Sequence, residues 1–259
     1  MNQRTRKDWI LGLAVLLGFL AAWQLAAVLA NSPFLPGFTD TLGAFADLVL
    51  HGDLEGYSLL THVAVSLTRI AGGFTLACMM GIPLGLLMGL YPSVYRSARM
   101  VIEPIRFIPP IAWIPIVIMV MAGFSRYLFI IWLGAFFPIL ISTLAGVPRV
   151  NPIHLDVARV HGASRGYLIR RVVVPSVLPE IFAGMRVGLG VGWMTIVAAE
   201  MLGGENIGLG RLVLKYAELF KLDYSVAGMV LIGLLGLLLN EVFIRAEKRF
   251  FRWRWEVTV

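Results

Sequence analysis

Six stretches of about twenty mostly apolar residues leave this chain one kind of solvent to fold in. A hydrocarbon core of roughly 30 Å is crossed by about 20 helical residues. Runs of that kind fall at 9–30, 57–90, 105–123, 127–147, 182–202 and 224–244, the second being longer than one crossing requires and holding its span within 61–90. A bilayer offers the backbone no water, so runs of this length must satisfy their own hydrogen bonds as helices. The expected fold is all-α, a polytopic bundle of about six transmembrane helices forming a single membrane domain over 1–259. Of the 259 residues 59% are hydrophobic and 14% charged, against about half and a quarter in soluble domains. No polar stretch is long enough for a second domain, and neither an internal repeat nor a low-complexity segment is evident.

The net charge of +7 is informative through its placement. Basic residues cluster beside the apolar runs: Arg4, Arg6 and Lys7; Arg96 and Arg99; Arg149, Arg159, Arg165, Arg170 and Arg171; Arg245, Lys248, Arg249, Arg252 and Arg254. Lys and Arg beside short spans stay on the cytoplasmic side, where anionic lipid attracts them. This pattern argues against a nucleic-acid partner. Residues 31–60 hold no Lys or Arg but do hold Asp40, Asp47, Asp53 and Glu55, so they face outward. The only other outward cations are Arg126, Arg211, Lys215 and Lys221. Six crossings then place both termini in the cytoplasm. A signal peptide competes for the first run, with Val28-Leu29-Ala30 as a cleavage site, but apolar cores of such peptides are shorter, about 7–15 residues, and an uncleaved span is favoured. Cys78 stands alone and builds neither a disulfide nor a cysteine metal site. His51, His62, His154 and His161 lack ligand spacing and read as polar surface residues.

Inside the runs, several residues demand an account. Leu42, Phe45, Ala46 and Val49 recur at helical spacing after Thr39 or Asp40 as a cap, which predicts a short amphipathic helix on the outer membrane surface. Arg69 must either snorkel outward or pair inside the bundle. Gly81, Gly85 and Gly89 form a small-residue stripe suited to close helix contact. Pro109, Pro110 and Pro115 remove helix hydrogen bonds from the third run, so it is either a bent, pore-lining element or a packing kink. Trp113, Trp193, Met194 and Glu200 are candidates for a translocation path. Glu200 either faces that path or sits at the outer interface, and Arg186 and Glu180 read as loop anchors near the cytoplasmic boundary.

The loop between the fourth and fifth runs, about 148–180, carries the clearest local design. Ile153, Val157 and Val160 alternate with polar residues at helical spacing, Pro152 suits a first helical turn and Gly162 suits the position just past the end. This predicts a short amphipathic helix, stopped by glycine and lying along the cytoplasmic face. Such a helix is a docking element by shape or a plain tie between two spans.

The same loop resembles the permease subunits of binding-protein-dependent ABC importers. Their loop reads Glu-Ala-Ala, then Gly, then a hydrophobic-x-hydrophobic-Pro ending. Here Asp156-Val157-Ala158, Gly162 and Val172-Val173-Val174-Pro175 keep the glycine-to-proline spacing, with Asp156 for the usual Glu and Val157 for Ala. The resemblance extends from about Leu35 onward through Ser66-Leu67-Thr68-Arg69, Gly81-Ile82-Pro83-Leu84-Gly85, Pro109-Pro110-Ile111-Ala112-Trp113-Ile114-Pro115, Pro179-Glu180-Ile181-Phe182-Ala183-Gly184-Met185-Arg186, Trp193-Met194-Thr195-Ile196-Val197-Ala198-Ala199-Glu200 and Gly208-Leu209-Gly210. These blocks look like the nitrate/sulfonate/taurine/bicarbonate branch, and residues 178–200 look most like taurine-type permeases.

The resemblance implies the type I (MetI-like) importer architecture in the cell's inner membrane. It implies a homodimer around one pore, two ABC ATPase subunits below, and a periplasmic or lipid-anchored solute-binding protein above. Asp156, Val157, Ala158, His161, Gly162 and Arg165 are the expected ATPase-coupling residues. ATP and Mg belong to the partner, since this chain has no Gly-x-x-x-x-Gly-Lys-Ser/Thr loop, and no cofactor or enzymatic step is expected of the chain itself. The implied cargo is a small anion, sulfonates such as taurine ahead of nitrate, bicarbonate or a vitamin precursor. An ion-gradient-driven secondary transporter is the alternative, though neither repeat symmetry nor a midplane ionisable site is evident. An intramembrane hydrolase would have to use Ser66 and His62, which share a helix face and lack an orienting group.

Overall fold

The computed structural model describes residues 3–250, with side chains from residue 7 onward; Arg252 and Arg254 of the basic tail, and the side chains of Arg4 and Arg6, lie outside the described residues. Among the described residues eleven α-helices follow one another: α1 (Gln3–Ala30), α2 (Phe38–His51), α3 (Leu59–Leu90), α4 (Pro92–Arg106), α5 (Ile114–Val120), α6 (Phe124–Gly146), α7 (Pro152–Val160), α8 (Arg165–Leu168), α9 (Val174–Leu202), α10 (Leu209–Glu218) and α11 (Leu222–Phe250). Five helical stretches among these residues are long and apolar enough to cross a membrane, and a sixth is added if the bent pair Pro92–Arg106 and Pro110–Val120 counts as one span.

That bent pair corrects the third expected span. No helix runs through 105–123; α4 ends at Arg106, and the chain turns by 82° into a 3₁₀ turn, Pro110–Trp113, and the short α5. Pro109 and Pro110 have no N–H to extend the ladder of α4, so the helix stops where they arrive. The fifth expected span, helix α9, is longer than expected for the opposite reason. Pro175 falls in its first turn, where no N–H is needed, and α9 continues backward through a π-helical turn, Ile169–Val173, into α8.

The chain divides into two compact units. One comprises residues up to Ala64 together with Glu205–Gly233. Here Ala44 and Leu48 of α2 pack with Leu59, with Leu212 and Tyr216 of α10, and with Ala227. Tyr216 stacks on Tyr224 at 4.7 Å, and the Tyr224 hydroxyl donates to Asp47 at 2.7 Å. That bond, with His51 at 2.8 Å adding to it, holds the Asp47 carboxyl below its ordinary range. The indole N–H of Trp23 donates to the Pro36 carbonyl at 3.0 Å, and the Gln24 amide oxygen accepts from Thr39 N–H at 3.1 Å, pinning α1 to α2. Helix α2 starts earlier than expected: Gly37, two residues before Thr39, is its cap, and Asp40 accepts the Gly37 N–H at 3.0 Å. Its inward face is Thr41, Ala44 and Leu48, whereas Leu42 and Val49 of the expected apolar stripe stay exposed.

The other unit comprises Val65–Gly204 with residues from Leu234 onward. Its core is α3, α6 and α9, centred on Ala77, Ala135, Ile139 and Leu140, with a second cluster at Val173, Val177 and Ile181. Helix association in lipid gains nothing from the hydrophobic effect and depends on close fit, which the glycines supply. A Cβ on Gly85 would sit 2.7 Å from Thr143 Cβ, one on Gly89 2.5 Å from Val147 Cγ2, and one on Gly188 2.9 Å from the Ala135 carbonyl oxygen. The expected stripe is a packing surface. The C-terminal end of α11 is tied to α9 by the Arg186–Glu247 ion pair and by Phe182 against Phe243 and Phe250.

Candidate functional site: the arginine-rich loop and the buried polar centres

Helix α7 forms where the sequence predicts it. The Asn151 side chain accepts the Ile153 N–H at 3.0 Å, and Pro152 occupies the first turn. At the other end Gly162 N–H bonds the Arg159 carbonyl at 2.9 Å and Ala163 N–H bonds that of Ala158 at 3.0 Å. This paired closure requires a left-handed residue, and Gly162 supplies it with φ +79°. Ser164 then caps α8, its hydroxyl accepting the Tyr167 N–H.

The orientation of α7 decides what it does. Leu155 packs inward on Val173, Val177 and Ile181. Ile153, Val157 and Val160 point away, Val160 being 85% exposed. The apolar stripe therefore does not bury against the bundle, and faces away from the apolar cluster that Leu155 joins. Beside it lies an open groove of about 1070 Å³ bounded by His154, Val157, His161, Tyr167 and Arg171. Asp156 is exposed and pairs with Arg159 at 2.9 Å. His161 keeps its Nδ1 2.8 Å from the Val157 carbonyl, and Ala158 is half-buried. Arg165 is the exception among the six expected coupling residues: its guanidinium lies 5.1 Å over the ring of Tyr91 in the same chain.

The four candidate path residues do not converge. Met194 is exposed on α9, in line with Ala183, Val187 and Gly190, three residues of one helical face that the motif-based reading passed over and that their spacing reveals. Trp113 ends the 3₁₀ turn after the bend and is half-buried. Trp193 faces inward onto Gly236 of α11, whose missing side chain admits the indole. Glu200 is 1% exposed: Arg69 donates to it at 2.8 Å and the Ser66 hydroxyl at 2.8 Å. Trp193 and Glu200 thus line no open surface here, because each fills a gap between helices. Of the two options for Arg69, the structure has the inward pair, with the guanidinium also 3.8 Å over the ring of Tyr127.

His62 also departs from expectation. It is fully buried, with Nε2 3.4 Å from Asp53 Oδ2 and Nδ1 3.1 Å from both the amide nitrogen and the carbonyl oxygen of Gly208. Asp53 Oδ1 accepts the N–H groups of Glu55 and Tyr57 at 2.9 and 2.8 Å, and Lys215 reaches Glu55 at 2.8 Å. A polar environment supplied by residues distant in sequence makes the burial tolerable. His62 and Ser66 have separate partners and form no nucleophile–base couple. Among the described residues no group of three His, Cys, Asp or Glu could hold a metal ion.

Comparison with known proteins agrees with this arrangement. The family described as binding-protein-dependent transport system inner membrane component matches residues 81–254. The taurine transport system permease protein TauC of Escherichia coli is 37% identical, over 99% of this chain and 96% of its own length. The bicarbonate transport system permease protein CmpB of Synechococcus elongatus is 32% identical, over 95% and 88%. A chain of the MetNI methionine ABC transporter, solved in inward-facing conformations, shares the fold at a TM-score of 0.61 and 20% identity, covering 73% of this chain and 94% of that one. Family membership sets aside the ion-gradient alternative. The chain belongs to the inner membrane components of binding-protein-dependent transport systems and is a permease of an ABC importer.

Proposed function

We propose that two copies of this chain enclose a pore through which a small anion is imported, with ATP and Mg bound by two ATPase subunits seated against α7 and a solute-binding protein delivering cargo from outside. The observation that carries the ATPase contact is the outward turn of Ile153, Val157 and Val160. Leu155 packs on the chain's own apolar cluster and leaves the stripe free for the ATPase. Asp156, Val157, Ala158, His161 and Gly162 are the contact residues. Both termini lie in the cytoplasm, on the side of the arginine-rich loop.

For the cargo, the relatives' names supply the support: taurine, bicarbonate and, at 29% identity, aliphatic sulfonates for a Bacillus subtilis protein. These are small oxyanions, and sulfonates are placed first. The test is co-expression with the ATPase of the same transport system. The complex should purify intact and dissociate with Asp156→Arg, since that change sets a cation beside Arg159 in the contact. An equally stable complex with Asp156→Arg would remove α7 from the interface. In vesicles loaded with that complex and its binding protein, excess taurine should compete with the uptake of labelled sulfonate, and failure to compete would exclude this cargo class.

A further inference from the structure

The coupling loop has to move the membrane helices, and two routes leave it. One runs along the chain into α9, through the π-helical turn Ile169–Val173. A π turn interrupts the α-helical ladder and makes an axial push easy to absorb locally. The other runs through space from Arg165 to Tyr91. Resting on the coupling reading above, we propose that the Arg165–Tyr91 contact is the link by which the loop moves the bent third span, which makes Arg165 a positioning residue.

Both partners sit where a link would need them. The Gly162 closure and the Ser164 cap separate α7 from α8, so Arg165 starts a new turn instead of continuing the docking helix. Its guanidinium lies 5.1 Å from the Tyr91 centroid, within cation–π range. Tyr91 is the single residue between α3 and α4, extended at φ −126° and ψ 90°. Its N–H bonds the Leu87 carbonyl at 3.0 Å and its carbonyl accepts the Val94 N–H at 2.9 Å, which secures it to both helices. A displacement at Tyr91 therefore changes the angle at which α4 leaves α3. Helix α4 packs through Tyr95, Ala98 and Ile102 and ends at the 82° bend. Beyond that bend Ile111, Ile116 and Met119 are exposed. The contact thus joins the loop to the only broken span among the described residues, bypassing the π turn.

The test uses the complex of this chain with its ATPase in membrane vesicles, in a Cys78→Ala background carrying Met119→Cys as a reporter on α5. The rate of maleimide labelling with ATP, divided by the rate without it, requires no knowledge of the cargo. With the link intact the ratio should depart clearly from one. Arg165→Ala and Tyr91→Leu should each bring it roughly two- to fivefold closer to one, the size a single exposed cation–π contact supports. Combining them should do no more than either alone, and Tyr91→Phe, which keeps the ring, should restore the ratio. A full ratio in Tyr91→Leu, or additive losses in the double variant, overturns the link. Tyr91→Met replaces Tyr91→Leu if the latter does not insert, and Ile111→Cys replaces the reporter if Met119→Cys is labelled in neither state. Absence of any ATP effect with the link intact is a separate outcome that removes the coupling reading itself.

Discussion

Arg69 and Glu200 stand 131 residues apart in sequence and within 2.8 Å in space, and the pairing lowers the cost of burying either charge in the bundle. Removing one side takes the opposite charge away from a buried ion, which costs about 3–5 kcal/mol. Arg69→Leu and Glu200→Leu should therefore each lower stability by that order, measured as loss of folded permease on heating in detergent. The double variant should recover much of the loss, because two apolar side chains of similar volume leave neither charge without its opposite. Additive losses would show that the two side chains act independently. The pair was half-legible in the sequence. A lone arginine in an apolar run announces that a partner exists, but periodicity does not name it. His62 shows the same limit: nothing local distinguishes a surface histidine from one enclosed by Asp53 and Gly208.

At the scale of helices, glycine spacing is legible because it reports a purely local property, a side of the helix with no bulk. The contact it makes is testable. Gly85→Val should destabilise by roughly 1–3 kcal/mol, the usual cost of overpacking, since its first added carbon already meets Thr143 and the Leu140 carbonyl. Gly43→Ala, in open space on α2, should instead stabilise by about 0.4–1 kcal/mol through the unfolded chain. The comparison is a denaturation or heat-inactivation series on the two variants, and equal losses would show that the cost is helix propensity rather than fit. Helix α7 was likewise legible in extent: Pro152 and Gly162 mark its ends through backbone chemistry alone. Its direction was not. Ile153, Val157 and Val160 make a stripe whose partner the sequence does not name, and α2 does the same with Leu42 and Val49. An apolar stripe means burial against something, and the partner need not be this chain.

For the whole molecule, the alternation of basic and acidic connections predicts a definite topology. A cysteine at His154 should react with an impermeant maleimide only from the cytoplasmic side, and one at Leu54 only from outside; both positions are exposed. Labelling of both from one side would break the six-crossing arrangement. Span count, the loop helix and membership of the importer family follow from the sequence by itself, because apolar run length, capping chemistry and motif spacing are written along the chain. Tertiary structure alone decided that Glu200 closes on Arg69, that Trp193 fills the space beside Gly236, that the third span breaks at 82°, and that Arg165 turns to Tyr91. Each of those outcomes depends on which distant groups share a small volume, and the lower free energy of a paired charge or a filled gap exists only once the helices have met.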